Sequence, residues 1–288
     1  MARRAQIGAQ GPRHRLAEGH AIGGGPLAKV IHQTRRQLEG HRDRGLRRRH
    51  RRGQRLRFPQ VAVSLTAREG ELTRQRHTRL LPGDFIDVAE ESGLIVPIGR
   101  WVLAEACRQA VAWRQAGWPD LVMAVNLSTV QFRRGGIGDE VLAALAASGL
   151  DPAGLELELT ESILLEGAAD VLTAVATWKA AGIQLAIDDF GTCYSSLAYL
   201  KHFPVDKLKI DRSFIAGMAE HDQDRAIVQA ILDMAGGLKL RTTAEGVEDA
   251  TQARQLRLMG CDEAQGYLYS PPLAAEDLEQ WWRGRRED

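Results

Sequence analysis

From about residue 81 the chain alternates short apolar runs with longer amphipathic ones, and each short run ends on a polar residue. Leu121–Leu127 reads as a strand ending at Asn126, and Leu155–Thr160 as a strand with Glu158 near its end. Ile183–Ile187 delivers Asp188, Val205–Ile210 delivers Lys209, and Leu240–Ala244 delivers Glu245. A last short run before Gly266 carries Gln265. Between them lie helical patterns at Ile98–Gly117, Asp139–Ser148, Ala168–Ala181, Asp222–Ala235, Thr251–Met259 and Ala275–Trp282. In the first, Trp101, Val102, Ala104, Ala106, Cys107, Ala110, Val111 and Trp113 fall mainly on one face at helical spacing.

Strands alternating with helices predict a parallel sheet covered by helices. Six successive units, each with a polar residue at its strand's C-terminal end, favour a (β/α)8 TIM-type barrel over an open sheet. In a barrel those ends converge on one face, which holds the active site. An open doubly wound sheet gathers ligands at one switch point instead. Asn126, Glu158, Asp188, Lys209, Glu245 and Gln265 are therefore expected to meet in one pocket. Asp188 and Asp189 stand together at the end of an apolar run and are followed by a Gly/Ser-rich turn. Adjacent carboxylates there suit a divalent metal. Hard oxygen ligands point to Mg²⁺ or Mn²⁺, and no Cys/His cluster offers a zinc site. His202 and His221 are not at strand ends and read as ordinary surface or helix-end histidines.

These residues resemble a known family. Asn126-Leu127-Ser128, Glu158-Leu159-Thr160-Glu161, Asp188-Asp189-Phe190-Gly191-Thr192, Lys209-Ile210-Asp211-Arg212-Ser213-Phe214, Ala244-Glu245-Gly246-Val247-Glu248 and Gln265-Gly266-Tyr267 resemble the EAL-domain phosphodiesterases, which hydrolyse cyclic di-GMP in bacteria. The resemblance runs from about Leu81 to Trp282, about 70% of the chain, with the motifs in order. It implies metal ligation by Asn126, Glu158, Asp188 and Glu245, with Asp189 on a second metal. It implies that Lys209 orients the attacking water and balances charge, that Gln265 lines the site, and that Glu248 tethers the loop after the paired aspartates. Two cations in such a site generate hydroxide and stabilise the leaving alkoxide.

The sequence departs from the family upstream. Glu-Ala-Leu is expected near position 68, where the chain reads Val63-Ser64-Leu65-Thr66-Ala67-Arg68-Glu69-Gly70-Glu71-Leu72. The Leu-Arg-Trp that follows it and the Tyr-Gln-Pro before it are also absent. By the resemblance, the missing glutamate is a metal ligand and the missing arginine helps hold the substrate. Nothing places Glu69 or Glu71 on a barrel strand as a replacement. Cys193 stands where the family usually has glycine, which restricts the loop if its backbone needs positive φ.

Composition separates the two parts of the chain. Residues 1–80 hold 20 Lys and Arg, 19 of them Arg, against 5 Asp and Glu; the remainder holds 18 against 32. The whole-chain charge of +1 hides this split. Arg42–Arg57 keeps no helical or strand period, and only Phe58–Leu65 hints at a strand. One reading of residues 1–80 is a disordered basic arm that meets nucleic acid or acidic membrane. The other, which we favour, is high-GC coding DNA read out of frame. It explains Arg/Gly/His/Gln-rich, Lys-poor text that stops where the family pattern begins. The division is an anomalous segment 1–80 and a phosphodiesterase domain 81–288, a barrel incomplete at its N-terminal strands.

Three cysteines, Cys107, Cys193 and Cys261, show no metal or redox spacing and suit a reducing cytoplasm. There is no 18-residue apolar run and no hydrophobic signal core. Three functions compete: hydrolysis of cyclic di-GMP to linear pGpG, impaired in this form; a degenerate EAL domain that binds the nucleotide or a protein; and a nucleic-acid binder resting on residues 1–80 alone. The carboxylate set disfavours the third. The resemblance leaves open a homodimer and an upstream GGDEF or sensory domain in a longer protein.

Overall fold

The computed structural model describes residues 28–33, 60–63, 82–118, 120–165, 169–192, 200 and 203–284. Six parallel strands follow in chain order: β3 (Val122–Leu127), β4 (Leu155–Thr160), β5 (Gln184–Phe190), β6 (Lys207–Ile210), β7 (Arg241–Ala244) and β8 (Glu263–Ala264). Helices separate them: α3 (Thr129–Arg133), α4 (Ile137–Ser148), α5 (Glu161–Leu165), α6 (Ala169–Ala181), α7 (Arg212–Gly217), α8 (Asp222–Gly237) and α9 (Ala250–Met259). Before β3 come α1 (Pro82–Ser92) and α2 (Ile95–Gln115), and α10 (Ala275–Gly284) follows β8.

Three helices begin where the sequence supplies a cap. Asp249 and Ser128 each accept backbone N–H bonds in capping boxes completed by Gln252 and Gln131, and Asp211 caps α7. Helix α2 buries Val102, Leu103, Ala106, Cys107, Ala110 and Trp113. Its stripe is shifted slightly from the expected one, with Leu103 inside and Ala104 exposed.

Strand β4 shows how the sheet is built. Its leucines 155, 157 and 159 are fully buried, and so are the glutamates 156 and 158 between them. Alternate residues face opposite sides of a strand. The leucines belong to the apolar core and the glutamates face the concave side. That side is closed in by curvature. Lys207 on β6 bonds to Glu156 on β4 at 2.6 Å and to Glu263 on β8 at 3.2 Å. In a flat sheet β4 and β8 stand about 19 Å apart, four strand spacings, so one ammonium reaches both only if the sheet curls.

Two short strands lie within residues 1–80, β1 (Ala28–Gln33) and β2 (Gln60–Val63). β2 falls inside the hint at Phe58–Leu65; β1 had no sequence signal. Neither runs parallel to the strand beside it. β1 runs antiparallel to β3 and to β2, and the ladder ends at β2 on one side and β8 on the other. Among the described residues the barrel is thus six parallel strands with an antiparallel pair beside them, incomplete at its N-terminal strands. The Arg42–Arg57 block, Glu69 and Glu71 lie outside the described residues.

Candidate active site

The strand register brings the polar residues together at the C-terminal edge. Asn126 pairs with Glu158 across β3 and β4, and Thr160 pairs with Asp188 across β4 and β5. Glu245 follows β7 directly and donates its backbone N–H to Ile210 O. Gln265 follows β8 and donates its N–H to Ala244 O.

Lys209 is the centre of the group. Its Nζ lies 2.9 Å from Glu158 Oε2, 2.6 Å from Asp188 Oδ1 and 2.7 Å from Glu245 Oε1. Burial alone would release its proton, but Asp188, Glu158 and Glu245 outweigh that and hold the ammonium well above its ordinary pKa. Burial pushes the Glu158 carboxyl up to about 8 against the pull of Lys209, with Asp188, Glu156 and Glu245 adding repulsion.

Asp188, Asp189 and Glu245 offer carboxylate oxygens all within 4.8 Å of one another, a spacing that can hold a cation. Asp189 takes φ 53°, a left-handed conformation that Asp tolerates better than most residues. This turn sets its side chain beside that of Asp188, whose Oδ1 accepts the Asp189 N–H. Glu158 stands outside the trio and joins it through Lys209. Its Oε1 is buried without a hydrogen-bond partner, as is Oε1 of Gln265. Oxygen donors lacking partners beside clustered carboxylates fit a hard divalent cation. Gln265 Nε2 donates to Glu245 Oε1 at 3.5 Å.

Glu248 is exposed, and its backbone N–H donates to Gln252 Oε1. The loop it was expected to tether, 193–199 with Cys193, lies outside the described residues, as does His202. Glu161 accepts the Gly191 N–H at 3.3 Å and so holds the start of that loop. His221 is exposed at the N-terminus of α8.

The sequence reading missed a second set inside the barrel: Glu156, Lys207, Thr243 and Glu263. The signal was present in Leu-Glu-Leu-Glu-Leu and Lys-Leu-Lys, where charges alternate with leucine in a strand.

A family model described as the EAL domain matches residues 65–272. The chain belongs to the EAL-domain family. Among curated relatives, this EAL chain is 46% identical over 203 residues to the bifunctional diguanylate cyclase/cyclic di-GMP phosphodiesterase MucR of Pseudomonas aeruginosa, covering 70% of the chain and 30% of MucR. It is 42% identical over 220 residues to the cyclic di-GMP phosphodiesterase NbdA of the same organism, covering 75% and 28%. The chain thus spans under a third of these relatives. The PaMucR phosphodiesterase in complex with c-di-GMP superposes with a TM-score of 0.73 at 38% identity, over 88% of this chain and 94% of that one. The EAL domain of Mycobacterium smegmatis DcpA gives 0.67 at 30% identity, over 90% and 97%.

Proposed function

We propose that this chain is a metal-dependent phosphodiesterase domain that converts cyclic di-GMP to linear pGpG, slowed by the loss of its Glu-Ala-Leu strand. The observation that carries the reading is the buried Lys209 ammonium shared by Glu158, Asp188 and Glu245. Such a group of carboxylates exceeds what one lysine neutralises, and it suits a cationic ligand. Asn126, Glu158, Asp188 and Glu245 would hold one Mg²⁺ or Mn²⁺, and Asp189 would serve a second. When bound, the metals supply charge neutralisation at the phosphate and acidify water. Lys209 orients the attacking water, whose oxygen forms a new bond to phosphorus as the P–O3′ bond breaks and the leaving oxygen is protonated. Gln265 lines the site and holds Glu245. Glu248 tethers the loop after Asp189. The lengths of MucR and NbdA support an upstream module, and no helix among the described residues is long and apolar enough to cross a membrane.

A specific observation supports slow turnover, and with it a second reading. The strands added beside β3, Ala-Lys-Val-Ile-His-Gln and Gln-Val-Ala-Val, contain no Asp or Glu. They bring no carboxylate to the side of the site next to Asn126. With one ligand fewer, the domain binds the nucleotide and turns it over little, which is the degenerate binding module.

The test compares three proteins with Mg²⁺ or Mn²⁺: the chain as it stands, the chain with a Glu-Ala-Leu strand restored, and the restored chain carrying Glu158→Ala. The expected order is weak, strong and none. A charge-stabilising contact is worth about 10²–10³ in rate. Strong activity in the first protein would show that another residue replaces the missing ligand. An inactive but well-folded second protein leaves the binding module.

A further inference from the structure

The interior of this barrel is charged where such barrels are ordinarily filled by Val, Ile and Leu. Its side chains fall into layers contributed by alternate strands. The layer nearer the N-terminal ends of the strands holds Glu156 on β4, Lys207 on β6 and Glu263 on β8. Two residues further along the chain stand Glu158 on β4, Lys209 on β6 and Gln265 just past the end of β8. The two layers are therefore stacked on one face by the strand period.

The lower layer is closed and balanced. Lys207 Nζ bonds Glu156 Oε2 at 2.6 Å and Glu263 Oε2 at 3.2 Å. Thr243 on β7 donates to Glu263 Oε2 at 3.0 Å, and Arg241 NH1 lies 3.3 Å from Glu263 Oε1. Arg241 NH2 also donates to Gln184 Oε1 on β5 at 2.6 Å. Ala186 on β5 pairs with Lys207 and with Glu158, and its methyl group leaves room for Lys207 to cross to β4. Two carboxylates thus meet two cations, and five strands are joined. Above it, by contrast, the carboxylates of Glu158, Asp188 and Glu245 face the one ammonium of Lys209. A fold that needed only stability would be served as well by an apolar layer, since a buried ion set is often no more stabilising than hydrocarbon of the same volume. What the ion set adds is direction: a strand that rotates or slides breaks a buried charge contact.

We infer that Lys207, clamped between Glu156 and Glu263, is a positioning residue that fixes Glu158 and Lys209 two residues above it and so sets the geometry of the metal and phosphate site. The inference rests on the phosphodiesterase reading for what the upper layer does, but not for the clamp itself. Glu156 lies immediately below Glu158 and Lys207 below Lys209, so any change of strand orientation at the clamp is transmitted directly to both. A shell of this kind that orients ligands is typically worth ~10–100-fold in metal affinity or activity.

The test uses the full chain and three variants. Lys207→Met alone takes the ammonium from the buried Glu156 and leaves Glu263 with only the part-exposed Arg241, and should lower Tm steeply. The neutral layer, Glu156→Gln with Lys207→Met and Glu263→Gln, removes the three buried charges together, leaves the part-exposed Arg241 to solvent, and should recover most of that Tm. Lys207→Arg keeps the charge and changes the geometry. Two readouts are taken well below Tm: Mn²⁺ affinity by EPR titration, and the slowly exchanging Lys209 ammonium signal by ¹⁵N NMR in metal-free protein. The neutral layer should weaken Mn²⁺ binding ~10–100-fold and lose the Lys209 signal although folded, and Lys207→Arg should change both in the same direction. A Lys209 signal like that of the parent in either folded variant overturns the inference, because a merely structural clamp would leave it in place. A parent that takes up no Mn²⁺, beside a variant that loses the signal, defeats the phosphodiesterase reading and leaves the positioning role standing.

Discussion

Glu158 and Lys209 stand on β4 and β6, with β5 between them, yet their carboxylate and ammonium are 2.9 Å apart and each residue is at most 1% exposed. The pair is the hub of the site: Asp188 and Glu245 reach the same ammonium, and Asn126 sits in register beside Glu158.

Lys209→Met removes the only ammonium facing three carboxylates in the described site. Breaking a buried pair from one side costs about 3–5 kcal/mol. In EDTA the variant should melt well below the parent. Mn²⁺ should narrow the gap, since a cation offsets the same carboxylates, while turnover in the strand-restored protein should disappear. Equal melting of parent and variant in EDTA would remove Lys209 from the centre of the site.

The pH dependence follows from Glu158. Its folded pKa, pushed to about 8 mainly by burial, lies above the ordinary carboxylate value of 4.5. Between those values the folded state holds a proton that the unfolded state has released. The contribution of this group to stability is therefore complete below about pH 4.5 and is lost as pH rises through about 8. Metal-free protein should lose stability across that window, and Glu158→Gln should flatten the trend. Metal binding displaces the same proton, so Mn²⁺ affinity should rise over the same range. Calorimetry in buffers of differing ionisation enthalpy would register the released proton.

Asp188→Asn or Glu245→Gln takes one charge from the Asp188, Asp189 and Glu245 trio. In the strand-restored protein each should cut turnover by at least ~10², the scale of one charge-stabilising contact. Mn²⁺ affinity should fall with it. A variant that kept Mn²⁺ affinity would show that the cation is held elsewhere.

Gly266→Ala tests how the loops carrying Glu245 and Gln265 are joined. Val247 N–H donates to Gln265 O, and Leu268 N–H donates to Val247 O. A Cβ at Gly266 would lie 2.2 Å from Val247 O and 2.3 Å from Val247 N, which are backbone atoms that cannot turn aside. The strain should cost roughly 1–3 kcal/mol and separate Gln265 from Glu245. A lowered Tm with weaker Mn²⁺ binding is expected; an unchanged variant would show that these loops move freely.

The parallel strands β3 to β7 and most of the helices were legible because their signals are local. Alternation and helical spacing are written in adjacent residues, and helix ends carry caps such as Asp249 with Gln252. Bounds shifted where the signal thinned. Strand β5 runs on to Phe190, past the expected end at Ile187, because Asp188 and Asp189 continue the extended chain in spite of their charge. Helix α1 went unread although its apolar stripe is as marked as that of α2, and β1 went unread because nothing around it repeats.

The sequence by itself determined which polar residues end each strand, that the chain resembles the EAL family, and that the Glu-Ala-Leu segment is missing. It could not determine which side of the sheet is dry. In Leu-Glu-Leu-Glu-Leu the period of two says only that the glutamates share a face, and an isolated sheet would give that face to water. The tertiary structure reverses this: curling brings β8 back toward β4, closes the face bearing Glu156 and Glu158, and leaves both fully buried. Only then must Lys207 and Lys209 neutralise them, and only then does Lys209 meet Glu158 and Glu245 from opposite sides. Curvature is a property of the whole sheet, and residues 51 positions apart, such as Glu158 and Lys209, meet through it rather than through any local pattern.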